Sequence, residues 1–164
     1  MMRRQEREIT DFGRINNILE KSMVCRLGLC SEDVPYVVPV NYGFEFLDGK
    51  LILYFHSANA GKKIELIKIN PKAAFEMDLS YELIEDEVAC RHSMIYESVI
   101  GVGEIIFCKC NEEKRKALTL LMAHYVPGRA FHFVDEQFQN LCLFKLTVLS
   151  YTAKSNKRLF SYTN

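Results

Sequence analysis

The sequence predicts a mainly β protein with helices (α+β), an antiparallel barrel of about six strands with one helix at the start, one in the middle and one late. Two observations carry that fold class. β-branched and aromatic residues gather in short runs separated by turn signals. Most successive runs are joined by connections too short for a helical crossover, which excludes a doubly wound parallel sheet and leaves hairpins closing a barrel.

Each element has its own warrant. Asp11 is placed to cap a first helix whose apolar residues Phe12, Ile15, Ile18 and Leu19 share one face at helical spacing. Val24 to Cys30 is β-rich, Ser31-Glu32-Asp33 reads as a turn, and Pro35 to Phe46 is one long β-branched and aromatic run. Asp48-Gly49 tolerates the left-handed backbone of a two-residue hairpin loop, so Leu51 to Phe55 is the returning strand. Ile64, Leu66, Ile67 and Ile69 then suit a short helix that ends at Asn70-Pro71. Ala73 to Leu79 returns to strand, residues 80–92 read as an exposed acidic connection, and Ser98 to Cys108 is a buried strand. Asn111 is placed to cap a helix through about His124, with Ala117, Leu118, Leu121 and Met122 as its stripe. Val126 to Asn140 is irregular or briefly helical, and Cys142 to Tyr151 closes the barrel. Residues 1–164 thus read as a single domain, with an N-terminal helix over 10–22, the barrel over 24–152 and a tail over 153–164.

Composition narrows the function. The chain has 164 residues and balances 21 Lys+Arg against 21 Asp+Glu, so it lacks the cationic surplus a general nucleic-acid binder needs. With 49% hydrophobic residues it has enough apolar side chain to fold around a core. Recognition of an anion must come from a few placed residues. Met1 to Glu8 carries basic residues with no apolar stretch behind them, so no export signal is expected, and the six cysteines are expected to be reduced thiols in a cytoplasm. No apolar run approaches the roughly 20 residues of a membrane helix.

The most informative stretch is Leu53 to Pro71. A strand ends in His56 and Ser57, the small loop Ala58-Asn59-Ala60-Gly61 follows, and Lys62 and Lys63 open a helix. A glycine that lets the backbone come close, free amide protons at a helix start and two ammonium groups make an anion trap. Lysines at that end oppose the helix dipole, a small cost that a bound anion would offset. The alternative reading, solvated lysines beside a satisfied strand-end histidine, stands next to it. Pro39 cannot donate to a ladder, so its strand is an edge or is locally unpaired. Gly101-Val102-Gly103 lies within a strand and marks a bulge or a close backbone approach rather than a dinucleotide loop. Cys108-Lys109-Cys110 has no second pair of Cys or His at zinc spacing, so no metal site is expected.

Together and in this order, CRLGLC (Cys25 to Cys30), PYVVPVNYG (Pro35 to Gly43), LYFHSANAGKKIELIKINP (Leu53 to Pro71), FEMD (Phe75 to Asp78) and YESVIGVGE (Tyr96 to Glu104) resemble the flavin-binding split barrels of the pyridoxamine 5'-phosphate oxidase-like superfamily, and within it the nitroimidazole-resistance (Nim) family. The resemblance implies a six-stranded split barrel that forms a homodimer and binds flavin mononucleotide (FMN) in clefts between subunits. It implies Lys62 and Lys63 on the flavin phosphate, His56 and Ser57 on the phosphate and ribityl chain, Val38, Pro39, Val40 and Asn41 along the isoalloxazine ring, and Ser98 at a polar position against that ring. His56 is the residue the nitroimidazole-resistance relatives associate with the active site; cofactor contact, proton donation and haem ligation are its readings, in that order. The oxidases of the superfamily carry an arginine on the strand corresponding to Val38 to Asn41. This chain has none, so pyridoxamine phosphate oxidase activity itself is not expected. The expected activity is reduction of small oxidised acceptors such as nitroaromatics with NAD(P)H as electron donor. The alternative is a non-enzymatic flavin- or haem-binding protein for storage or sensing.

Overall fold

The structure is a computed structural model that describes residues 4–31 and 33–156. Glu32, in the expected turn, residues 157–164 of the expected tail and residues 1–3 lie outside the described residues. Among the described residues there are three α-helices, α1 (Phe12–Lys21), α2 (Lys62–Ile69) and α3 (Asn111–Tyr125). The strands are β1 (Glu8–Ile9), β2 (Cys25–Ser31), β3 (Val34–Val40), β4 (Tyr42–Leu47), β5 (Lys50–Ser57), β6 (Lys72–Ile84), β7 (Ser93–Phe107) and β8 (Cys142–Ser155). They follow the order β3-β2-β6-β7-β8-β5-β4, with β1 paired to β8. This mostly antiparallel, unclosed sheet with flanking helices is the split-barrel α+β class that the sequence predicts.

The strand count is eight rather than six. The run Pro35 to Phe46 divides at Asn41, because β3 pairs with β2 whereas β4 pairs with β5, and the chain changes partner between them. The two-residue strand β1, too short to show a period, accounts for the other. Much of the expected connection over 80–92 is strand, since β6 runs to Ile84 and β7 begins at Ser93; the end of β6 is exposed and so lacks the alternation that announces a half-buried strand.

The chain forms two compact units. The first comprises Met1–Ser22, Met77–Ile100 and Thr152–Asn164. In it, Asp11 caps α1 as expected, its Oδ1 accepting the Arg14 N–H at 2.8 Å, and Ile15, Ile18 and Leu19 are buried. Phe12, expected on that face, is 57% exposed at the first helical position. Glu97 is buried, and its carboxylate accepts from Arg14 Nη2 at 2.6 Å and from the Tyr81 hydroxyl at 3.0 Å. A carboxylate taken from water requires such donors.

The second unit comprises Met23–Glu76 and Gly101–Tyr151. Cys25, Leu27 and Leu29 of β2 face inward, and the register sets Val40, Val38 and Tyr36 opposite them on the same face. β3 ends the strand order, so Pro39 sits on an edge strand as expected. Asp48 (φ 51°) and Gly49 (φ 75°) close the β4–β5 hairpin with Leu47 opposite Lys50, the turn their sequence signals. Leu51 through Phe55 are all buried, because β5 is covered on both sides: Ile52 and Tyr54 cluster with Cys108, Ala117 and Leu143 beneath α3. A Cβ on Gly43 would lie 2.4 Å from the Leu121 nitrogen, so only a bare backbone lets α3 approach β4. Asn111 opens α3 as its first residue instead of capping it; Cys110 is the cap position, and Glu113 reaches back to accept the Lys109 N–H at 2.9 Å. Gly101 and Gly103 leave β7 uninterrupted and mark close approaches, a Cβ on Gly103 falling 2.4 Å from the Thr147 carbonyl oxygen. Among the described residues no helix is long and apolar enough to cross a membrane.

Candidate functional site

The β4–β5 ladder ends at the pair Tyr42–Phe55; Asn41 precedes Tyr42 and His56 follows Phe55 in the chain, and both are exposed. Ser57, half-buried, follows His56 and lies opposite Cys142 of β8, while His56 itself lies opposite Leu143. The chain then leaves the sheet through Ala58 to Gly61, all exposed, with the Asn59 amide anchored by donation to the Gln139 carbonyl at 2.9 Å. Gly61 caps α2 with φ 119°, a backbone conformation that favours glycine. Its carbonyl accepts from Ile64 at 2.9 Å and Glu65 at 3.1 Å, no side chain caps the helix, and the first amides therefore lack an intrahelical acceptor.

Lys62 and Lys63 occupy those first positions and differ in setting. Lys62 is exposed and its Nζ stands 4.8 Å from the centroid of the Tyr36 ring, a cation–π contact that ties the start of α2 to β3. Lys63 is half-buried, and desolvation lowers its pKa, opposed by the nearby Cys142 sulfur. Desolvation also lowers the pKa of His56, with the Lys63 ammonium adding to the effect. Two groups are thus disfavoured as cations at a place lined by N–H and hydroxyl donors. An anion docking there would relieve both.

The second unit therefore brings together His56, Ser57, Lys62 and Lys63 and links them through Tyr36 to the strand carrying Val38, Pro39 and Val40, which Asn41 follows in the chain. Val40 is buried opposite Cys25, Val38 is half-buried, and Pro39 is exposed. Ser98, half-buried on β7, belongs to the first unit rather than to this group. Two residues of the group escape sequence reasoning. Tyr36 had a signal, an aromatic two positions before Val38 on the same strand face. Cys142 had none, because only the β5–β8 register sets it opposite Ser57; burial raises its pKa and keeps the thiol protonated. Among the described residues no cluster of three His, Cys, Asp or Glu converges to hold a metal ion.

The same unit carries an apolar groove of 570 Å³, lined by Gly28, Pro35, Ala74, Val102 and Leu149 among others. Leu149 is 73% exposed on it.

Comparison with known proteins agrees with this architecture. A 5-nitroimidazole antibiotic resistance candidate from Bacteroides thetaiotaomicron is 34% identical over 90% of this chain and 86% of its own, with a TM-score of 0.78. A flavocytochrome from Azotobacter vinelandii shares the fold at 17% identity, covering 94% of this chain and 72% of its own with a TM-score of 0.78. An FAD- and haem-binding protein from Mycobacterium smegmatis does so at 16% identity, covering 92% and 74% with a TM-score of 0.80. No curated protein sequence matches. The sequence profile described as pyridoxamine 5'-phosphate oxidase matches residues 12–150. A profile match over most of the chain, joined to a 34% identical relative of the same fold, places this chain in the pyridoxamine 5'-phosphate oxidase family.

Proposed function

We propose that the chain binds FMN and uses it as an NAD(P)H-dependent reductase of small oxidised acceptors such as nitroaromatics. The observation that carries this reading is the partly desolvated Lys63 beside Lys62 and a glycine-capped helix start, a donor set suited to a phosphate monoester. The names of the two fold neighbours, one a flavocytochrome and one an FAD- and haem-binding protein, support a flavin. The nitroimidazole-resistance description of the 34% identical relative supports the acceptor class.

Flavin, when bound, supplies the electron-transfer chemistry. The chain's own residues do the rest. Lys62, Lys63 and Ser57 hold the phosphate by charge and hydrogen bond. Val38 to Asn41 offer an edge strand whose Pro39 nitrogen carries no proton. His56 is chiefly a neutral imidazole until an anion offsets Lys63, and from then on its exposed ring holds a proton more readily. The apolar groove supports a homodimer, since a second copy would cover its exposed Val102 and Leu149.

The test is optical. Protein incubated with FMN and desalted should keep the two visible bands of oxidised flavin, lose them on addition of NADPH or NADH without oxygen, and regain them on addition of a nitroimidazole. A colourless desalted protein would overturn flavin binding. Retained flavin that neither donor bleaches would favour storage or sensing. His56, exposed and disfavoured as a cation, also suits iron, and a Soret band after incubation with haemin would shift the reading to a haem protein.

A further inference from the structure

A second concentration of positive charge lies in the first compact unit, whereas Lys62 and Lys63 belong to the second. We propose that this cavity, of 540 Å³, is a binding site for a small polyphosphate anion: a pyrophosphate group, either free or carried by a nucleotide.

Three parts of the chain converge on it. Arg4 and Arg7 come from the N-terminal 3-10 turn, Arg91 from the short helix between β6 and β7, and Lys154 from β8. His92 and the Ser93 hydroxyl complete the polar wall. One carboxylate lines the cavity, Asp86, 4.0 Å from Arg91. In a chain whose Lys+Arg and Asp+Glu balance at 21 each, four cations around one acid depart from the average surface. Glu8 stands opposite Lys154 in the β1–β8 register, yet among the described residues no ion pair joins them, and none engages Arg4 or Arg7. A concavity of like charges repels itself and concentrates an anion from solution.

The walls are held in place. Asn156 donates through its amide to the Ser93 Oγ at 2.8 Å and to the Met94 carbonyl at 2.8 Å, and through its backbone N–H to the Tyr96 carbonyl at 3.0 Å. The β1–β8 pairing fixes the chain next to Arg7. Three guanidinium forks match the paired oxygens of phosphate groups, and one ammonium adds a point charge. No Phe, Tyr or Trp is among the residues that line the cavity, and Ile84 and Cys90 are its apolar contributions, so recognition rests on phosphate charge more than on a base.

The full-length protein as purified is titrated by calorimetry, near physiological salt, with inorganic pyrophosphate, ADP and orthophosphate in separate arms. Pyrophosphate and ADP should each bind saturably, one per chain, and orthophosphate at least about tenfold more weakly. Tighter binding of ADP identifies a nucleotide as the carrier; equal affinity identifies the free anion. Arg7→Ala with Arg91→Ala should weaken pyrophosphate by about tenfold or more and Lys154→Gln by less, with far-UV circular dichroism unchanged. The proposal is overturned by an absence of saturable binding, by orthophosphate binding as well as pyrophosphate, by an oligonucleotide displacing pyrophosphate at far lower concentration, or by both the double variant and Lys154→Gln binding as tightly as the parent.

Discussion

His56 and Lys63 are disfavoured as cations in the same place, and this couples the site to pH. The folded chain holds the His56 proton less readily than the unfolded chain, whose histidine titrates near 6.5. As pH falls below about 6.5, the unfolded chain takes up that proton first, so this residue's contribution to stability falls until the lower folded pKa is passed. Above about 6.5 both forms are neutral and the contribution is level. In a proton NMR titration, Lys63→Met should raise the His56 pKa, and so should bound FMN, whose phosphate would neutralise Lys63. A value that moves in neither case would separate His56 from the phosphate. By linkage, FMN should bind more tightly as pH falls through this window. A second prediction rests on Glu97. Arg14→Ala, which removes the charged donor from the buried carboxylate, should cost about 3 kcal/mol in urea denaturation. Glu97→Gln leaves a neutral group and a 46% exposed Arg14, and should cost about 1 kcal/mol. Equal costs would show that the carboxylate is not the strained partner. Lys62, Lys63 and Gly61 were legible because they are neighbours in the chain. Cys142 was not, because its place beside Ser57 depends on a pairing across 85 positions that no local pattern encodes.

The approach of α3 to β4 is the sharpest test among the elements. Gly43→Ala would drive a methyl into the Leu120–Leu121 backbone, and overpacking of this kind costs about 2 kcal/mol. A thermal midpoint unchanged in Gly43→Ala would mean that the helix slides freely. Asp48-Gly49, the Asp11 cap and the three helices were read correctly because each has a chemical signature in a few adjacent residues. The break at Asn41 was not, because residues 35–46 are uniformly β-forming and only the change of partner divides them. The end of β6 was missed for a different reason. A strand exposed on both faces carries the polar residues of a loop.

For the whole molecule, the prediction concerns retention of FMN. Lys62→Ala with Lys63→Ala should weaken FMN about a hundredfold, roughly tenfold for each charge-assisted hydrogen bond, and binding to the parent should weaken as salt is raised. Unchanged affinity in fluorescence titration would place the phosphate elsewhere. Light scattering should report a dimer, and Leu149→Asp should reduce its mass to that of one chain; a dimer that survives would move the interface away from the groove. The family fold was legible as a whole because several ordered segments preserve its strand and loop signatures, even though the strand count was short by two.

The double cover over Leu51 to Phe55 has a consequence in time as well as in space. Amides of β5, shielded by neighbouring strands on both edges and by side chains above and below, should be among the slowest in the chain to exchange with deuterium, while those of the exposed loop Ala58 to Gly61 exchange within seconds. His56 and Ser57 sit at the junction of these two regimes. The loop can therefore open to admit or release a ligand through local fluctuation, at a rate set independently of global unfolding.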